Sequence, residues 1–225
     1  MDDLALQAWL ESAVRRFQEN NAALVPATET LLQSVIRQPE VHARFLNALS
    51  LLEHMGSCKI MATQHGAAID QPTLKHLAEE TRHAFFFKRK AEQMARRPLA
   101  YVGGDLLSPV TTRAYFQRLE ATMKRSFAPG AHGRAIYLHM SLVVEFRAVW
   151  GYRLYQQVLD QQGSGLSLKG LLAEEQGHLI DMVRRIEQIE ALQMDRLLEF
   201  CGVEQRLYAR MLDGFASAIG RRQAA

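Results

Sequence analysis

Apolar residues recur along this chain at spacings of three and four, and no segment alternates convincingly with period two. That pattern predicts an all-α protein. A first amphipathic helix is expected over 3–19, then a break near Pro26 and a shorter helix at 28–37. Pro39 precedes a long helix at about 40–64, closed by a turn at Gly66 and Asp70-Gln71-Pro72. The next helix runs from about 72 to 96 and stops before Pro98, whose ring cannot continue it. The connection from 98 to 133 carries YVGGD, a helix at 110–127 and a break from Pro129-Gly130 to Gly133. A third long helix covers 134–161 and ends at Gln162-Gly163-Ser164-Gly165, with Ser167 placed to cap a fourth that begins near 168. The stretch 184–220 stays helical, with a bend expected around Gly202. Short turn, long crossover and short turn describe a four-helix bundle with one crossover connection. One domain is therefore expected over 1–225, its bundle at about 40–185, with extra N-terminal, crossover and C-terminal helices.

Within this pattern the stretch LAEETRH at 77–83 returns as LAEEQGH at 172–178, 95 positions later. Each copy holds a Glu and a His three apart, Glu80/His83 and Glu175/His178. On a helix such residues share a face, about 5–6 Å apart, so both side chains can reach one point. Each pair also follows an isolated Glu in the preceding long helix, Glu53 and Glu145. One Glu-x-x-His would be unremarkable in a chain this rich in Glu. The shared prefix and the matched upstream Glu require three coincidences together. Glu…Glu-x-x-His twice over is the ligand set of a carboxylate-bridged di-iron or di-manganese centre in a helical bundle. With only two copies, the repeat reads as an old duplication of a helical hairpin rather than a solenoid.

The faces support this reading. Steps of three and four through the second long helix give Thr73, His76, Leu77, Glu80, His83, Ala84 and Phe87. The same walk in the fourth gives Leu168, Leu171, Leu172, Glu175, His178, Leu179 and Met182, so both pairs lie on apolar stripes. Glu53 shares a face with Leu46, Leu49, Gly56 and Ile60, and Glu145 is flanked by Leu142, Val143, Val144, Phe146, Ala148 and Val149. An ionised carboxylate buried alone costs several kcal/mol, so four in one core demand counter-charge. Two divalent cations supply it; salt bridges to Arg82 or Arg147 are the alternative, provided those arginines turn inward. Oxygen-rich ligation with one imidazole per metal suits Fe or Mn. Glu79 and Glu174, with Asp181 as competitor, are candidates to accept the second ring N–H of a ligand His, against the alternative of a solvated helix face. His54, His65, His76 and His139 are read as core or surface residues, and Tyr152 as a packed core tyrosine. Gly56 and Gly177 either leave room for a substrate or O₂, or allow close helix packing.

Composition narrows the function classes. The net charge is +3 with basic and acidic residues interleaved, which argues against nucleic acid as a partner. The densest basic run, Lys88-Arg89-Lys90 with Arg96-Arg97, sits where it would complement a helix dipole. The N-terminus MDDLALQAW lacks the layout of a signal peptide, and the most apolar run, 135–155, contains His139, Glu145, Arg147 and Arg153. Cys58 and Cys201 form no CxxC pair and are too few for a rubredoxin-like iron centre. The expectation is a cytoplasmic protein that does not engage a membrane.

Carried by Glu53, Glu80-x-x-His83, Glu145 and Glu175-x-x-His178, the chain resembles the ferritin-like di-iron carboxylate superfamily over roughly 40–185. In spacing and size it is most similar to aldehyde-deformylating oxygenases and related small single-chain oxygenases. SLVVEFRAVWGYRLY (141–155) resembles their third ligand helix and TTRAYFQRLEATMKRSF (111–127) their intervening helix. The resemblance implies two iron ions, with Mn as an alternative, and activation of O₂ to oxidise a small apolar or aromatic molecule. The metal centre itself would be the catalyst. An external electron donor is implied because the chain carries no flavin or Fe–S motif. A ferroxidase or peroxide-scavenging protein and a non-catalytic metal-binding protein are the alternatives, and a homodimer is left open.

Overall fold

A computed structural model of the chain describes residues 1–63, 69–127, 133–189 and 192–223. Among them the regular structure is helical: α1 (Asp3–Asn21), α2 (Val25–Ile36), α3 (Pro39–Thr63), α4 (Gln71–Ala95), α5 (Pro109–Ser126), α6 (Gly133–Gln161), α7 (Lys169–Gln188) and α8 (Met194–Gln223). Short 3-10 turns occupy Ala22–Leu24 and Gly103–Asp105. The chain divides into two compact units, one of residues 1–29 and 118–208, the other of 30–117 and 209–225.

In the unit of residues 30–117 and 209–225, α3 and α4 pack against one another as a hairpin. Asp70 caps α4, its side chain accepting from the Thr73 N–H at 2.8 Å, and Pro72 occupies the first turn where its missing N–H leaves nothing unmade. The helix ends with Arg96 in the left-handed region at φ 54°. A buried amide then ties the following loop down: Asn47 Nδ2 donates to the carbonyls of Ala100 and Asp105, both at 2.9 Å. Lys88 joins the same knot, donating to Asn47 Oδ1 at 3.0 Å and to the Leu99 carbonyl while lying over the Tyr101 ring. Arg97 pairs with Asp105 at 2.6 Å. Lys88 and Arg97 thus anchor the loop after α4, and no basic residue sits in the last turn of that helix.

In the unit of residues 1–29 and 118–208, α6 and α7 form a second hairpin against which α1 packs, Phe17 stacking on Phe146 at 5.5 Å. Between α6 and α7, Gly163 takes φ 64°; Ser164 N donates to Leu159 O at 2.9 Å and Gly163 N to Asp160 O at 3.2 Å, a Schellman close. The buried Gln156 side chain accepts from the Leu168 N–H at 2.6 Å, which fixes the entry to α7.

Three local expectations fail for identifiable reasons. Pro26 lies in the first turn of α2, so it starts that helix at Val25 instead of separating it from 28. The N-cap of α7 is Leu168, with no side-chain cap; Ser167 is one residue early and reaches only Lys169 N, at 3.4 Å. Helix α8 continues through Gly202, and the interruption falls between Gln188 and Met194 instead. Gly66, His65 and the Pro129-Gly130 break lie outside the described residues. No helix among the described residues is long and apolar enough to cross a membrane.

Candidate metal centre

Helices α3 and α4 carry the first ligand set. Glu53, Glu80 and His83 are all buried, and each offers a ligand atom within 4.8 Å of the others. His83 Nδ1 stands 3.8 Å from Glu80 Oε1. The walk by three and four along α4 puts Thr73, His76, Glu80, His83, Ala84 and Phe87 on its buried side, so the apolar stripe that makes the hairpin also carries the ligands inward. Gly56 on α3 faces this group: a Cβ there would lie 3.5 Å from Glu80 Oε2, an ordinary contact. Gly56 thus lines the carboxylate, whereas a Cβ at Gly177 would meet nothing within 4 Å.

Helices α6 and α7 carry the second set. Glu145, Glu175 and His178 are buried, Glu175 to 1% exposure. His178 Nδ1 faces both carboxylates, at 3.1 Å from Glu175 Oε2 and 3.5 Å from Glu145 Oε1. Burial alone would lower the His178 pKa, but hydrogen bonding and charge from Glu145 and Glu175 outweigh it and push it up to about 12. The imidazole therefore holds its proton between the two carboxylates.

Arg82 does not turn inward; it is 53% exposed and lies 3.8 Å from Glu79. Arg147 does turn inward, but its guanidinium grips Glu204 with two bonds, Nε to Oε1 at 2.9 Å and Nη2 to Oε2 at 2.8 Å. Asn21 Oδ1 accepts a further bond at 2.5 Å, and the rings of Phe17, Trp150 and Tyr208 surround the cation.

Glu79 is largely shielded and lies 3.7 Å from Lys75. Glu174 and Asp181 are half-buried on α7. None of these three belongs to a ligand group. His139 is a structural histidine, bonded to the Ala135 carbonyl at 2.8 Å and packed between Phe127 and Phe200. His54 is exposed and stacks on Tyr101. His76 is different: it is buried one turn before Glu80, its Nε2 3.4 Å from Glu80 Oε1, and it offers a ligand atom beside that carboxylate. Its place in the ligand stripe of α4 was the available signal.

Leu49, Phe87, Val149 and Leu179 are all buried. Leu179 lines a groove of about 690 Å³ between α1 and α7 with Leu6, Leu10 and Val183. At about 100° per residue, the groove-lining Gln176, Leu179, Ile180 and Val183 centre on the side of α7 away from His178. The groove is therefore not a chamber over the ligand atoms of α7.

The donor chemistry fits a hard to borderline divalent cation. Each set combines two carboxylates with imidazole, buried, and contains no thiolate; Cys58 is exposed and Cys201 lies on α8. The chain matches no protein-family model, no curated protein and no solved structure.

Proposed function

We propose that Glu53, Glu80 and His83 together with Glu145, Glu175 and His178 are the ligands of two iron ions, as in the ferritin-like di-iron carboxylate proteins that the sequence resembles. The observation that carries this reading is the recurrence, in each unit, of the same buried grammar: a Glu on one helix and a Glu-x-x-His on its hairpin partner. Manganese satisfies the same donors. Two divalent cations balance four carboxylates, and the ions, when bound, would supply electrons to reduce O₂.

The chain's own residues bind and position. His83 and His178 would each give the ions a nitrogen donor, and the four glutamates would neutralise them; Leu49, Phe87 and Val149 are buried apolar side chains. The reaction class is oxidation of a small apolar or aromatic molecule. Insertion of one oxygen atom from O₂ with release of the other as water needs two further electrons, so an external donor completes the balance.

The first test is metal content. About two ions per chain are expected after anaerobic loading with Fe(II), and markedly fewer in Glu80→Ala and Glu175→Ala. Stoichiometry near zero in the parent protein, or full occupancy in both variants, would refute the site. The second test is anaerobic reduction followed by O₂ with a panel of fatty aldehydes, arylamines and aromatic acids. Oxidised product supports the oxygenase; rapid Fe(II) oxidation indifferent to every compound assigns the protein to ferroxidases.

A further inference from the structure

We propose that His76 is a direct metal ligand, so that α4 delivers two imidazoles where α7 delivers one. The inference rests on the two-metal reading and adds a ligand that the Glu-x-x-His pattern does not contain. His76, Glu80 and His83 stand at i, i+4 and i+7 of α4, on one buried stripe. His76 Nε2 lies 3.4 Å from Glu80 Oε1, and His83 Nδ1 lies 3.8 Å from the same oxygen.

Those separations are longer than a good N–H···O bond of about 2.9 Å. Two donors about 2.1 Å from one cation, at angles of 90–110°, stand about 3.0–3.4 Å apart. The His76–Glu80 distance is thus the spacing of two ligands around a shared ion, and a weak one for an ion pair. Glu80 stands in one candidate ligand group with His76 and in another with Glu53 and His83.

The repeat makes the arrangement asymmetric. Shifting by 95 positions carries Glu80 to Glu175 and His83 to His178, but His76 falls on Leu171, a buried leucine. Only one of the two metal positions gains the extra nitrogen. The two ions therefore differ in affinity, and they load in order rather than together.

The test uses the full chain loaded with Co(II), whose paramagnetism shifts the exchangeable N–H proton of every coordinated imidazole to a resolved proton NMR signal. Three such signals are expected, from His76, His83 and His178, and they vanish in D₂O. Titration should show two binding steps. His76→Leu, which copies Leu171, should remove one signal and weaken one step by about 100-fold or more while leaving the other intact. Two Co(II) ions bound with only two imidazole signals, or unchanged affinities in His76→Leu, would overturn the role of His76 and leave the two-metal site standing. No Co(II) bound by the parent chain would overturn both. The signal count in the parent chain decides the matter even if the variant fails to fold.

Discussion

Removing one partner of the Arg147–Glu204 pair should destabilise the protein far more than removing both. Glu204 is fully buried and Arg147 nearly so, and two bonds of 2.8–2.9 Å join them. At an effective dielectric near 20, unit charges about 4 Å apart attract by about 4 kcal/mol. Desolvating the two ions costs several kcal/mol each, so the intact pair is close to neutral in net stability. Glu204→Ala leaves a buried guanidinium beside the rings of Phe17, Trp150 and Tyr208 and the Asn21 amide without its carboxylate, at a cost of about 3–5 kcal/mol. Arg147→Met should cost a similar amount. The double variant Arg147→Met/Glu204→Leu should lie within about 1–2 kcal/mol of the parent. Urea unfolding of the four proteins gives the coupling energy directly, and at least about 2 kcal/mol is expected. Costs that add, or a Glu204→Ala loss below about 1 kcal/mol, would refute this account of how α6 is held in register. Because Arg147 follows Glu145 by two residues, the same series read by metal affinity reports whether that register aims Glu145.

Burial lowers the His42 pKa from 6.5 to about 4. The unfolded chain then binds more protons between those values, so His42 contributes stability that is present above pH 6.5 and lost as pH falls toward 4, by up to about 3 kcal/mol. His42→Gln should flatten that part of the pH–stability curve, and an unchanged slope relative to the parent would count against it. A Cβ at Gly214 would lie 2.6 Å from Thr111 Cγ2 and Oγ1, so Gly214→Ala should lower stability by about 1–3 kcal/mol, with Thr111→Ala restoring part of the loss. Gly220 is the control, since nothing lies within 4 Å of a Cβ there and Gly220→Ala should stabilise the exposed helix by roughly 0.5–1 kcal/mol; equal effects at both positions would exclude the steric cause.

Helices α3, α4, α6 and α7 were legible because period and punctuation agree in them. Their apolar stripes run for twenty residues or more, and Asp70-Gln71-Pro72 and Gly163 mark ends that the backbone chemistry dictates. Ser167 misled because Leu168 can serve as the cap without a side-chain bond, its N–H satisfied by distant Gln156. Gly202 misled because a half-buried glycine inside a long helix costs about 1 kcal/mol, which the packing of α8 can outweigh. Neither the Arg147–Glu204 pair nor the Asn47 knot has a local signature: each joins positions more than forty residues apart, and only tertiary packing pairs them.

Charge is what makes the site informative beyond its motif. In the unit that contains α6 and α7, Arg147, His178 and Arg185 are buried cationic side chains. Arg147 makes a two-point contact with Glu204 and Arg185 lies over the Tyr137 ring, while His178 faces both Glu145 and Glu175. Hydrogen bonding and charge from those two carboxylates outweigh burial and hold the proton on the imidazole. If the proposed ions bind here, each would compete with that proton for the same carboxylates, and the protons released on loading with Fe(II) would measure the exchange.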